Sequence, residues 1–530
     1  MKKAFSNLKN LIINQNLLIF LILILASFLR LYRISDYMTF LGDEGRDVLV
    51  VYNILHGHLT LLGPTSSVGG FFLGPIYYYF MAPFLFLFNY NPVGPAIMVA
   101  LIGVATVFLI YIFSKEIFNK NVALIAAFLY SISPIVISYS RSSWNPNPLP
   151  FFSLLILFLV YKSKLWGKEK YLFFVGILFG VAMQLHYLAV FLGVIILVYV
   201  FSINLIKSKK NFISLILKTV KDYLYIFLGF IIGWSPFLAF EIRHGFPDFR
   251  NIYQFILLSG NTGASGNYFQ IVTDVFFRLF ARLVFAFPQA DQFHFFSKLL
   301  INSWIIFSLT IALLSVGLLI KNFYNSFKKK EENISKNLLL FLWIFIGVLL
   351  FGFYKKSIYE YYFAFMFPLP FILVASFIDE IKNLKKSKIF LVFSLAIFII
   401  LALLNLQGVP FRYPANRQLN QMRTIADFVM TKTNAKPFNF ALISGGNSDY
   451  AYRYFFTIWN HPPVTIQYPG IDPKRTTVTD QLLVVCESPL PCSPVGNSLW
   501  EIAGFGRADI AGHWKVSVVE VYKLVHYKGK

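Results

Sequence analysis

The stretch Phe40-Leu-Gly-Asp-Glu-Gly-Arg-Asp47 puts three carboxylates and a guanidinium within eight positions, in a chain with only 24 Asp and Glu among 530 residues. After it, Val48, Val51, Tyr52 and Leu55 recur at i, i+3, i+4 and i+7, which predicts an amphipathic helix. Asp43 and Glu44 then fall at the helix N-terminus, where the dipole favours an anion. Acidic residues are scarce in this chain, so three in five positions call for a functional role. Asp43 is the catalytic candidate, with Glu44 beside it. A plain N-cap is the simpler account of Glu44 and Asp47.

Cations that could meet a phosphate recur near helix ends. Arg46 follows the acidic pair. Arg141 stands in Ser140-Arg-Ser-Ser-Trp-Asn-Pro-Asn-Pro148, and Lys355 and Lys356 in Tyr354-Lys-Lys-Ser-Ile-Tyr-Glu-Tyr-Tyr362. Contact with anionic lipid headgroups is the competing account of each. His186, Trp144, Asn145, Tyr361 and Tyr362 are candidate sugar or acceptor contacts, because aromatic faces suit sugar rings. A hydrogen-bonding structural histidine and an interfacial aromatic belt are the ordinary alternatives. Ser444-Gly-Gly-Asn-Ser448 resembles a phosphate turn but lacks Walker or dinucleotide spacing. No HExxH, GxSxG or CxxC occurs.

The elements that must position these residues are membrane helices. Hydrophobic residues make up 57% of the chain and charged ones 13%, more apolar surface than a soluble protein can hide. The 19% aromatic content excludes disorder. About eleven apolar runs meet the length criterion for spans. They cover 17–31, 95–113, 122–139, 149–161, 171–186, 187–205, 223–240, 299–320, 338–354, 361–377 and 389–406. The net charge of +23 fits lysines gathered in cytoplasmic loops rather than a nucleic-acid partner. If 71–88 does not cross, the loops holding Lys115, Lys162, Lys164, Lys207, Lys218, Lys328 and Lys382 all face inward. That run, broken by Gly74, Pro75 and Pro83, is therefore placed as an interfacial segment at the outer face. Segments 35–94, 141–147, 243–298 and 355–360 then face outward, together with the tail. The division is a membrane domain, 1–406, and an extracytoplasmic α/β domain, 407–530. In the tail, Leu419, Met422, Ile425, Ala426 and Val429 read as a helix, and 438–443, 481–486 and 514–525 as strands. Cys486 and Cys492 stand there either as a disulfide or as two thiols.

Together, Gly42-Asp-Glu-Gly-Arg-Asp47, His56-Gly-His58, Gly63-Pro64-Thr65, Gly74-Pro75-Ile-Tyr-Tyr78 and Arg141…Trp144-Asn-Pro146 resemble the GT-C glycosyltransferase superfamily. The likeness is to the branch of protein O-mannosyltransferases and lipid A aminoarabinose transferases, over roughly the first 400 residues. The resemblance implies an all-α polytopic membrane protein with interfacial helices in its first outer loop, multi-pass in a bacterial plasma membrane, with a cytoplasmic N-terminus. It implies inverting transfer of a sugar from a polyprenyl-phosphate donor to an extracytoplasmic glycan, lipid or protein, with Asp43 as general base. Arg46, Arg141, Lys355 and Lys356 would receive the leaving phosphate. The aminoarabinose branch carries a Lys-Pro pair where this chain reads Leu73-Gly-Pro-Ile76. Asn145 or Asn147 replaces an acidic residue expected outside the third span, so the divalent metal of such relatives stays open and no cofactor is assigned. The alternative to the enzyme is a lipid or saccharide transporter or flippase, which needs ionisable residues within spans and paired broken helices.

Overall fold

The structure is a computed structural model that describes residues 15–66, 69–208, 212–257, 267–286, 294–329, 333–354, 356–384, 387–487 and 492–529. All eleven expected runs are helical. Among the described residues six helices are long and apolar enough to cross a membrane, including Val93–Ile117, Leu149–Trp166 and Lys298–Lys329. Two bent pairs bring the number to eight: Phe212–Gly233 with Ser235–His244 at 72°, and Glu360–Met366 with Pro368–Asn383 at 59°. Proline explains both breaks. Its ring clashes with the preceding turn but fits the first turn of a new helix, where Pro236 and Pro368 sit. Pro134 likewise divides the run at 122–139 into Lys120–Ile132 and Pro134–Tyr139.

Ile76–Leu87 has 12 residues. At about 1.5 Å per residue it covers roughly 18 Å, well short of a ~30 Å hydrocarbon core. Residues before it are extended, with Leu73 N donating to the carbonyl of Pro64 at 2.9 Å. The expected interfacial helix is thus shorter than the run 71–88.

A seam of small residues joins Tyr171–Leu185 to Phe212–Gly233. A Cβ on Gly176 would lie 2.0 Å from the Ile226 carbonyl oxygen, and one on Gly229 2.0 Å from that of Phe173. Lipid gives helices no hydrophobic reason to associate, so close backbone approach through small side chains supplies the attraction. Composition alone did not reveal this spacing.

The loops sort to two ends. At one, Glu116 meets Lys162, Asp222 meets Lys164, and Glu169 meets Lys218 and Lys221. At the other, Phe72 N donates to Asp248 Oδ1 at 3.1 Å, Tyr77 Oη meets Ser143 Oγ at 2.7 Å, and Arg278 Nη1 donates to the Ile358 carbonyl at 2.9 Å. The four segments assigned to one face therefore gather at one end of the bundle.

The tail joins that end. Its sheet runs β1-β2-β4-β3, from β1 (Asn439–Ile443), β2 (Gln481–Glu487), β3 (Ala508–Val516) and β4 (Val519–His526). β1 and β2 are parallel and the other pairs antiparallel. The single strand expected at 514–525 is instead a hairpin, turned at Ser517 with φ 54°. Side chains alternate between faces. Phe440, Leu483, Val485 and Val521 share one buried cluster with Val48, Val51, Tyr77 and Met81 of the first loop. Leu482, Val484 and Leu524 pack on the other face with Ile466 and Ile502. Tail and first loop thus fold around a common core. Cys486 and Cys492 form a disulfide.

Candidate active site

The acidic helix is Gly42–Leu55, with Asp43 and Glu44 in its first turn. Arg46 Nη1 donates to Asp43 Oδ1 at 3.0 Å, while its Nε and Nη2 donate to Asp47 Oδ1 at 3.0 and 2.8 Å. Asp43 keeps 57% of its side-chain surface exposed and Asp47 none. Glu44 is buried and accepts from Leu41 N at 3.0 Å. It caps the helix, as its simpler account has it. Asp47 does not: it lies a turn further in, held by Arg46 and by Tyr78 Oη at 3.2 Å. Burial pushes the Glu44 carboxyl up to about 7 and that of Asp47 to about 6, the latter against the pull of Arg46. Of the three carboxylates here, Asp43 alone stays open to solvent, oriented by one bond from Arg46.

Of the expected cations, Arg46 meets Asp43, and carboxylates take its donors. Arg141 is turned away and corrects the expectation: it is 1% exposed, and its Nη1 and Nη2 donate to the carbonyls of Leu29 and Tyr32 at 2.8 and 2.7 Å. It satisfies carbonyls at the C-terminal end of the first helix, which have no partner within it. Lys356 borders an apolar groove of about 320 Å³, lined also by Phe71, Tyr187, Phe191, Phe255 and Tyr354. Lys355 lies outside the described residues.

The aromatic candidates do come together. Trp144 meets Tyr361 with ring centroids 4.4 Å apart, and His186 meets Tyr361 and Tyr362 at 5.7 and 5.3 Å. Tyr187 and Tyr354, joined through their hydroxyls at 2.6 Å, belong to both this cluster and the groove wall. Two of the five also have plain structural duties. His186 Nδ1 accepts from Leu188 N at 3.2 Å, and Asn145 Nδ2 donates to the Leu185 carbonyl at 2.6 Å.

Residues that sequence reasoning did not assign tie these parts into one assembly. Tyr78 reaches Asp47, and its neighbour Tyr77 reaches Ser143, next to Trp144. Ser142 Oγ accepts from Thr39 N at 3.0 Å, just ahead of the acidic helix. Arg278 binds Glu360, beside Tyr361, at 3.0 Å. The three consecutive tyrosines at 77–79 were the available signal; their partners, 31 and 66 positions away, were not. The Ser444–Ser448 turn is closed by Ser444 Oγ, which accepts from Asn447 N at 3.0 Å. It docks on the acidic helix, with Asn447 Oδ1 accepting from Gly42 N at 2.9 Å.

Among the described residues no group of three or more His, Cys, Asp or Glu could hold a metal ion. Asp47 Oδ1 accepts from Arg46 and Tyr78, and Glu44 accepts from Leu41 N.

Residues 73–239 match the family described as dolichyl-phosphate-mannose-protein mannosyltransferase. A stretch of 121 residues is 34% identical to the Bacillus subtilis protein named "Putative mannosyltransferase YkcB". That match spans 22% of this chain and 16% of the relative's length. ArnT from Cupriavidus metallidurans, solved with undecaprenyl phosphate, superposes with a TM-score of 0.59 at 11% identity, covering 96% of this chain and 97% of that one. The oligosaccharyltransferase AglB from Archaeoglobus fulgidus, solved with an inhibitory peptide and a dolichol-phosphate, gives 0.52 at 14% identity, covering 89% and 69%. At such identities the likeness is one of fold. The chain is a polytopic helical membrane protein that shares the fold of ArnT and AglB, with a small C-terminal α/β unit, and its residues 73–239 are similar to the mannosyltransferase family.

Proposed function

We propose that the protein is a glycosyltransferase that moves a sugar from a polyprenyl-phosphate donor to an acceptor hydroxyl outside the cytoplasm, with inversion. The observation that carries this reading is the half-exposed Asp43 carboxylate, held on one oxygen by Arg46 and tied through Asp47, Tyr78, its neighbour Tyr77 and Ser143 to an aromatic wall and an apolar groove. Asp43 takes the acceptor proton as the hydroxyl oxygen bonds to the anomeric carbon. The bond from that carbon to the phosphate oxygen breaks on the opposite face, and its electron pair leaves with the polyprenyl phosphate. Arg46 orients Asp43. Lys356, at the groove, meets the leaving phosphate, where a fixed cation favours the charge that develops. The isoprenoid lies in the groove, and Trp144, Tyr361 and Tyr362 offer faces to the sugar.

The site end is the extracytoplasmic one, because the opposite end collects the lysine loops. The setting is a bacterial plasma membrane with the N-terminus inside. Residues 1–406 carry the chemistry, and 407–530 cover it. Mannose is the first sugar to test, given the family that residues 73–239 match and the name of the relative. Mass spectrometry of lipid extracts from a deletion strain should show an accumulated polyprenyl-phosphate sugar. Extracts identical to those of the parent strain would overturn the assignment.

A further inference from the structure

The C-terminal unit reaches the acidic helix through one side chain whose amide is fixed at both ends. Asn447 Oδ1 accepts from Gly42 N at 2.9 Å and from Ser448 N at 3.0 Å. Its Nδ2 donates to Glu487 Oε1 and Oε2 at 3.0 and 3.3 Å. Two N–H donors face the oxygen and a carboxylate faces the nitrogen, so the amide has one satisfactory orientation. Glu487 is itself held, accepting from Tyr452 Oη at 3.1 Å at the end of β2, next to the disulfide-bonded Cys486. Ser444 Oγ accepts from Asn447 N at 3.0 Å and donates to its carbonyl at 2.7 Å, fixing the turn.

The contact surface admits little else. A Cβ on Gly42 would lie 2.0 Å from Ser448 Oγ, and one on Gly45 2.3 Å from Ala451 N. The two glycines stand three apart on one helix face, so the backbone of the acidic helix rests directly on the tail. Gly42 N and Leu41 N are start-of-helix donors without intrahelical partners. Asn447 takes the first and Glu44 the second. Asp43 is the next residue.

We propose that Asn447 is a positioning residue for Asp43: by holding Gly42 it fixes where the helix begins and so where the carboxylate points, with Glu487 as its anchor. This rests on the reading of Asp43 as the base. The tail then takes part in the chemistry through alignment, and a misplacement of about 1 Å can cost up to about a hundredfold in rate.

The test uses the full chain, expressed in the deletion strain, with accumulated polyprenyl-phosphate sugar measured by mass spectrometry and the protein by immunoblot of membranes. Asn447→Ala should leave about tenfold more donor than wild type at equal protein. Asn447→Asp should do the same, since a carboxylate then faces Glu487. The double substitution Asn447→Asp with Glu487→Gln restores a donor and acceptor pair and should return the donor to the wild-type amount. Wild-type donor in Asn447→Ala, or no rescue by the double substitution, overturns the inference. So does a rise in donor matched by an equal loss of protein. Asp43→Asn in the same strain separates the two ideas. Should that variant clear the donor, the reading of Asp43 falls; should it accumulate donor while Asn447→Ala does not, only the positioning role falls.

Discussion

Asp43 and Asp222 are aspartates set against a cation at opposite ends of the same helix bundle, and they differ in what else surrounds them. Asp222 is fully buried, paired with Lys164 and accepting from Asn204 Nδ2 at 2.8 Å. Lys164 also donates to Asn204 Oδ1 at 2.7 Å, and its carbonyl accepts from Lys207 Nζ at 2.6 Å. Asp43 has one cation on one oxygen and an open surface. The residue types are the same. Burial turns one pair into a stitch between helices, whereas exposure leaves the other carboxylate open to a substrate. Breaking a buried pair strands a charge in a low dielectric, while altering an exposed carboxylate costs the fold little.

That contrast breaks or sharpens at four places. The largest effect is expected from Asp43→Asn: transfer should fall about 10²–10⁴-fold, with thermal unfolding in detergent unchanged. Retained transfer would remove the distinction between the ends. Asp222→Ala comes next. It leaves Lys164 buried without its carboxylate and should cost roughly 3–5 kcal/mol of stability. Activity per folded molecule should stay the same; a selective loss of activity would mean that the lysine-rich end takes part in the chemistry.

The third test uses pH. Burial raises the Glu44 carboxyl from 4.5 to about 7, so the folded state holds a proton that the unfolded state has lost between those values. Stability contributed by this group is therefore fully present below pH 4.5 and falls as pH rises to about 7, by about 3 kcal/mol at most. Asp47, raised by burial from 3.8 to about 6, adds a fall in the same direction. Unfolding midpoints measured from pH 4 to 8 should decline, and Glu44→Gln should flatten the curve to the part due to Asp47. An unchanged slope in that variant would place the titration elsewhere. The smallest effect is expected from Lys162→Gln, at the partly exposed pair with Glu116, which should cost at most about 1 kcal/mol and shrink further in salt.

Much of this was legible one residue at a time. Apolar length located the helices of the bundle. Among the described residues, only six to eight of the eleven runs form helices or bent pairs long enough to cross, because hydrophobic length does not record where proline breaks a run. Spacing found Gly42–Leu55, and scarcity of acid singled out Asp43. The glycine seam was not found, since Gly176 and Gly229 reveal nothing until their helices are neighbours. Arg141 was misread because a cation beside a span looks alike whether it faces a ligand or the end of another helix. Asn447 looked like part of a phosphate turn, for composition records a bend but not its partner.

By itself the amino-acid sequence determined a bundle of membrane helices, the side to which its lysines gather, and an acidic helix start in the first loop. Those follow from hydrophobic length, periodicity and charge, which act over a few residues. Only the tertiary structure decided that Arg46 holds Asp43, that Arg141 serves the first helix, and that Asn447, 405 positions away, meets Gly42. Such pairings depend on burial and on backbone approach between distant segments, and no local pattern encodes them.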